Sequence, residues 1–355
     1  MTLRNKNLAL IRRGWMAVAF SAASAAMAMP VGPATQRPAL QTPQATRAVT
    51  LGAAQAGDRL VTAGERGIIM LSDDLGAKWR QVAVPVSSTL TVVRFADERH
   101  GFAAGHGGIV LSSEDGGMSW RKRLDGRQIA ALTLDAAQDS ADQRLVEEAR
   151  RLVSEGPDKP LLDLQVIDGQ HVMAVGAYNL AVESLDGGRS WKSISPRLPN
   201  PRGLHLYALR VRGETVLIAG EQGLVMRSDD GGRSFKRIET PYKGSFFTAE
   251  LLGEGHDEML VAGLRGNVWR SRDGGASWTQ LDVPMPITIT GSATRGDTLL
   301  LANQAGTLLR SESGGPLRQM DVSRLPPLAG LLPLKNNGLL ALSVVGSIVL
   351  PGVAK

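Results

Sequence analysis

The chain has 355 residues, 41 of them glycine, with 43% hydrophobic and only 4% aromatic residues; this is enough for two average domains or one large all-β domain, and the balance suits a turn-rich globular protein rather than a disordered one. Cysteine is absent, which excludes a disulfide framework, a thiolate metal site and a cysteine nucleophile. The formal charge is +6, but there is no basic run, zinc-ligand set or aromatic stacking array, so nucleic acid is not an expected partner.

Residues 1–29 carry Arg4, Lys6, Arg12 and Arg13 and no acid. An apolar stretch, "WMAVAFSAASAAMA", ends in Ala26-Met27-Ala28. That order predicts a secretory signal peptide over 1–28. The stretch is short and rich in Ala and Ser for a membrane span of roughly 20 residues. "RRGWM" also resembles a twin-Arg signal, so the export route stays open between Sec and twin-Arg. Setting aside those four basic residues leaves 36 against 34 acids, and the 36 divide into 28 Arg and 8 Lys. Arginine makes planar bidentate contacts to carboxylates, which favours local recognition over a general field.

After a linker over 29–46, self-similarity governs the chain. "GERGIIMLSDDLGAKW" begins at Gly64, "GHGGIVLSSEDGGMSW" at Gly105, "GAYNLAVESLDGGRSW" at Gly176, "GEQGLVMRSDDGGRSF" at Gly220 and "GLRGNVWRSRDGGASW" at Gly263. A sixth copy at Asn303 is decayed, with Ser313 for Asp and Arg318 for Trp, and a seventh at Ser343 is truncated. Most intervals match the roughly 40–45 residues of one four-stranded propeller blade. Within each unit, short runs of β-formers are punctuated by Gly turns. Seven units over 47–355 predict an all-β, seven-bladed β-propeller. The last unit lacks a fourth strand, and residues around Leu40–Val49 are expected to supply it and close the ring.

The one long interval holds an insertion at about 124–160. Its "DSADQRLVEEARRLVSEGPDKP" predicts one helix, with Ser140 as cap and Ala141, Leu145, Ala149 and Leu152 at helical spacing. The helix is expected to pack on the side of the propeller or to serve as a partner-binding arm.

The acidic turns resemble the Asp-box, S-x-D-x-G-x-x-W, the bacterial neuraminidase repeat. Its aspartate and aromatic positions here are Asp74/Trp79, Asp115/Trp120, Asp186/Trp191, Asp230/Phe235 and Asp273/Trp278. A short Asp accepts bonds from turn amides, Gly permits the left-handed backbone of a tight hairpin, and the aromatic can plug the space between sheets. Carboxylates at hairpins spread around a ring cannot converge on one bond as acid and base must. The boxes are therefore read as structural.

With the preceding inner strands ("HGFAAGHGGIVLSSEDGGMSW"), the full unit is similar to the photosystem II stability/assembly factor family. The resemblance implies a non-catalytic protein without cofactor or metal. Such a protein binds a membrane-protein subunit from the periplasmic or lumenal side while a complex is assembled. The client could equally be a transporter, and a monomer located in the periplasm (the thylakoid lumen in a photosynthetic organism) is expected. The histidines show no metal-ligand spacing.

Propeller ligands usually meet the face where inner loops converge on the channel. The turns after each aligned Gly place Glu65, Arg66, His106, Tyr178, Glu221, Gln222, Arg265 and Gln304 there. The loops leading into the first strands add Arg202, His205, Lys243 and Phe246. This polar, cationic and aromatic set is the candidate receptor for an acidic peptide or chain end. The alternative is a sialidase-like glycoside hydrolase, for which Glu65 and Glu221 are the carboxylates on that face and Tyr178, Tyr207 and Tyr242 the available tyrosines.

Overall fold

The computed structural model describes residues 32–140, 142–253, 255 and 257–352. The segment read as an export signal, and Ala141, lie outside them. Seven antiparallel sheets follow one another along the chain; six have four strands and the seventh, Leu328–Pro333, Leu339–Ser343 and Gly346–Leu350, has three. First strands neighbour first strands around the ring, and that of blade 1 (Thr50–Ala56) returns to that of blade 7. The fold is a seven-bladed β-propeller with two helices inserted between blades 2 and 3.

The second strands explain how the blades pack. Gly101–Gly105, Val172–Gly176 and Met259–Gly263 are buried at every position. Their small residues lie between neighbouring sheets, where bulk would hold the blades apart. The Gly that ends each of them has a specific cause. A Cβ on Gly64, Gly105, Gly176, Gly220 or Gly263 would stand 1.9–2.2 Å from the carbonyl oxygen that precedes the first strand. That contact is too close for any other residue.

Each Asp-box forms the same set of bonds. In blade 2 the Ser113 hydroxyl donates to Asp115 at 2.9 Å and accepts from the Gly117 amide at 2.8 Å; Asp115 also accepts from the Ser119 amide at 2.9 Å and the Ser119 hydroxyl at 2.6 Å. Asp186, Asp230 and Asp273 accept from their own turns in the same way, and Asp74 does so without the hydroxyl bond because Lys78 stands where the others have Ser. These bonds hold the carboxylates below the usual range; those of Ser190 and Ser277, first among the causes, bring Asp186 and Asp273 to about 2. Trp120 and Trp191 are buried, and their indoles donate to Gly117 and Gly188 carbonyls. Trp79, Phe235 and Trp278 are half-buried. In the sixth blade Ser311 donates instead to the Gly315 carbonyl, so the hairpin closes without an acid.

Two expectations are corrected. Residues 40–49 add no strand to blade 7. The segment turns at Ala45–Arg47, and its upstream part lies along blade 1, where the Ala39 amide donates to the Val84 carbonyl and Gln81 bonds the Leu40 carbonyl. The ring closes through side chains, with Ala53 and Leu60 of blade 1 packed on Leu334, Leu340 and Leu342 of blade 7. The insertion holds two helices rather than one, α1 (Gly126–Asp139) and α2 (Gln143–Glu155). Asp125 and Gln128 form a capping box that starts α1. Ser140 closes the end of α1 by bonding the Ala137 carbonyl, and Asp142 caps α2.

Candidate functional site

The ring has two unlike faces. One carries the Asp-box hairpins together with the turns between first and second strands. The other carries the turns between second and third strands and the segments that lead into first strands. The candidate residues belong to the second. Each of its turns in blades 1–5 is a single 3-10 turn with a left-handed central residue, Arg66 (φ 54°), Gly107 (φ 73°), Tyr178 (φ 54°), Gln222 (φ 54°) and Arg265 (φ 57°). A bulky residue at positive φ is uncommon. Here the turn points these side chains outward, and Arg66, Tyr178, Gln222 and Arg265 are all exposed. His106, Arg202, Lys243 and Gln304 are exposed on the same face.

Adjacent blades are tied at this level. The Tyr178 amide donates to His205 Nδ1 at 2.9 Å, and the Arg265 amide to Thr288 Oγ1 at 3.3 Å. His205 thus uses Nδ1 as an acceptor, which fixes its ring against the blade 3 turn. Glu65 and Glu221 are engaged as well. Glu65 accepts from the Val49 amide at 3.0 Å and Glu221 from the His205 amide at 3.2 Å. The two carboxylates stand at equivalent points of blades 1 and 4, each bracing its own first strand. Phe246 is a correction: it is fully buried in the core and is not part of the face.

The residue beside it, Phe247, reveals what the sequence reading missed. In all seven blades the pairing of first and second strands slips by one residue near this face. A bulge re-aims the extra residue. Those residues are Leu51, Thr91, Leu162, Tyr207, Phe247, Thr290 and Ala329, and together they line the channel, a cavity of about 240 Å³. Thr91 and Thr290 also donate to the Leu161 and Leu328 carbonyls of the next blade, each at 2.8 Å. Burial, and then the charge of Glu221, push the Tyr207 phenol above its ordinary pKa, so it remains a neutral donor.

Deeper in the channel lies a second feature absent from the sequence reading. Arg210 bridges Asp163 at 2.8 Å and Glu250 at 3.4 Å, and Arg94 meets Asp163 at 3.4 Å. Asp163 also accepts from the Leu164 and Leu209 amides, and Glu250 from Ser292. Charged residues in otherwise apolar first strands ("LTVVRF", "LLDLQV", "LYALRVR", "FFTAEL") were the available signal. The network joins blades 2 to 6 and is internally neutral.

Many arginines serve the ring itself. Arg59 bonds the blade 2 hairpin carbonyls of Asp115 and Gly116, Arg212 the carbonyls of residues 251–253, and Arg227 pairs with Asp257 of the next blade. Arg66, Arg202 and Arg265 are different. They make no side-chain ion pair or hydrogen bond among the described residues.

Comparison with known proteins agrees with this architecture. No curated protein matches the chain by sequence. Solved structures of similar fold include YCF48 bound to D1 peptide, at 15% identity and a TM-score of 0.65, covering 89% of this chain and 99% of that one. YCF48 from Cyanidioschyzon merolae is 13% identical with a TM-score of 0.65, covering 87% and 96%. The computationally designed Ika8 protein is 13% identical with a TM-score of 0.55, covering 86% and 96%. At such identities the likeness concerns the fold alone, as the designed protein illustrates. The sequence itself is more specific, since the family described as photosynthesis system II assembly factor YCF48 matches residues 71–145 and 143–297. With more than half its length so matched, the chain belongs to the photosynthesis system II assembly factor YCF48 family.

Proposed function

We propose that the protein is an exported, non-catalytic monomer that binds an extramembrane segment of a membrane-protein client. The client is a subunit of a complex under assembly or a transporter, met from the periplasmic or lumenal side. One observation carries the reading. On the turn face Glu65 and Glu221 are occupied by backbone amides, whereas Arg66, Arg202 and Arg265 have no ionic partner among the described residues. An unpaired guanidinium beside an exposed aromatic ring, as Arg202 is beside Tyr178, suits a carboxylate-bearing peptide. The solved YCF48 that carries a D1 peptide is consistent with a peptide as ligand in this family. None of the helices among the described residues is long and apolar enough to cross a membrane, so the client supplies the membrane attachment in this reading.

The test is crosslinked affinity capture from membranes with mass spectrometry. Arg66→Glu, Arg202→Glu and Arg265→Glu together should abolish recovery of the membrane client while the melting temperature stays within 1–2 °C of wild type, as roughly expected for exposed sites. Undiminished capture by the triple variant would remove this face as the site.

A further inference from the structure

The inserted helices and blade 3 enclose a cleft of about 360 Å³. Leu145 and Leu152 of α2 form one wall, and Pro196 and Pro201 of blade 3 the other. Tyr178 and Arg202 stand at its rim. The volume falls at the lower end of the roughly 300–1,000 Å³ of ligand pockets. It can take one or two side chains of an extended segment, and it is far too narrow for a helix about 10 Å across.

The charges around the cleft decide what kind of segment fits. Lys159 is neutralised by Asp158 at 2.6 Å and Glu155 at 3.2 Å, and Arg151 by Glu155 at 2.6 Å. Glu148 faces Arg144 at 3.5 Å. Among the described cations lining the cleft, only the Arg202 guanidinium makes no ion pair or hydrogen bond, so the rim has one open cation beside an apolar interior.

The rim also opens onto a file of rings. Tyr178 meets His205 edge-on at 4.6 Å, His205 meets Tyr207 at 6.1 Å, and Tyr207 meets Phe247 at 5.0 Å. Lys159 lies over the outer ring, 5.4 Å from the Tyr178 centroid. The file runs from the cleft across blades 3, 4 and 5 to the channel mouth. Two of the chain's three tyrosines are in it, and Tyr178 is 58% exposed. Five other aromatics are fixed in the Asp-boxes, and the file adds Phe247 to the two tyrosines on this face. Rings and an apolar cleft bind an extended chain through its side chains at little entropic cost.

We infer that the cleft between α2 and blade 3 is a peptide subsite for an extended client segment that places an aliphatic or aromatic residue between Leu152 and Pro201 with a carboxylate on Arg202. The segment continues over Tyr178 and Tyr207 towards the channel. The inference rests on the peptide-binding reading of the turn face, and assigns the helical insertion a direct part in recognition.

The test is selection from a random octapeptide display library on the full protein, followed by fluorescence anisotropy with the winning peptide. The expected winners pair an apolar residue with Asp or Glu. Arg202→Glu and Leu152→Glu should each weaken binding at least tenfold with an unchanged circular-dichroism spectrum. Arg202→Lys should recover part of the loss, and Arg66→Glu with Arg265→Glu should leave the cleft's contribution in place. Failure to enrich any peptide, enrichment of basic peptides, or equal binding by Arg202→Glu and Leu152→Glu would each overturn the subsite. If membrane capture still depended on Arg66 and Arg265 in those cases, the broader reading would survive without it. A concentration-dependent dimer abolished by Leu152→Glu would assign the cleft to a second copy and likewise overturn the peptide.

Discussion

Replacing Trp120 tests whether the Asp-box aromatics are plugs between blades. Its ring is 6% exposed, lies in a cluster with Val61 and Leu71 of blade 1 and Val93 and Leu111 of blade 2, meets Phe95 edge-on at 6.1 Å, and bonds the Gly117 carbonyl at 2.9 Å. Trp120→Ala empties that site, and a buried Trp→Ala change costs about 3–5 kcal/mol. At about 2 °C per kcal/mol for a domain of this size, the melting temperature should fall by roughly 8 °C. Trp120→Phe keeps most of the ring and loses the indole donor, which leaves a buried carbonyl unpaired at a cost of about 1–2 kcal/mol. Blade 4 already carries Phe235 at this position, so the shape is compatible with the hairpin. Urea unfolding followed by circular dichroism, with the slope held constant, measures both. If the two substitutions cost the same, or if alanine costs less than about 1 kcal/mol, the plug reasoning is refuted.

Other outcomes follow from the same structure. Asp186, held at about 2 in the folded chain by its Ser190 bonds, contributes stability that is complete above the ordinary carboxylate value and lost as pH falls towards 2; Asp186→Asn should flatten the dependence of melting temperature on pH between 4 and 2, and an unchanged profile would exclude it. Arg210→Met leaves Asp163 and Glu250 facing an apolar stem and should cost about 3–5 kcal/mol, while adding Glu250→Gln should return part of that loss in the same thermal melt. Removing residues 33–43 deletes the bonds along blade 1 and should destabilise by about 2–4 kcal/mol at roughly 1 kcal/mol per bond; proteolysis of the shortened protein should begin in blade 1, and cleavage starting elsewhere would count against it.

The sequence revealed the ring because one unit recurs and its turns are chemically explicit. Gly64, Gly105, Gly176, Gly220 and Gly263 align because each meets a carbonyl, and that constraint leaves a mark in every copy. The sequence points to one helix in the insertion, from the spacing of Ala141, Leu145, Ala149 and Leu152, whereas Asp125 and Gln128, a capping box, announce a second that starts earlier. The closing strand was inferred from the missing fourth strand of blade 7, but side-chain packing at the seam met the need without backbone pairing. Phe246 was placed on the surface because bulges are invisible in the one-letter string. A slip of one residue turns Phe247 into the channel and Phe246 into the core. Arg66, Arg202 and Arg265 were legible as exposed. The neutral network of Arg94, Asp163, Arg210 and Glu250 was not, because its members come from four different blades.

The three-stranded seventh sheet has a consequence for how the chain can be rearranged. Every sheet is made from one uninterrupted stretch, and among the described residues no strand crosses from one end of the chain into the sheet at the other. The blade frame therefore coincides with the repeat frame, and the seam between blades 7 and 1 is a clasp of Ala and Leu side chains with no shared ladder. A gene cut in any linker between blades and rejoined head to tail would encode the same seven sheets. In a ring knitted shut by a composite sheet, one blade would instead be divided between the two ends of the chain. Here the order in which blades emerge from synthesis is separable from the order in which they sit around the axis.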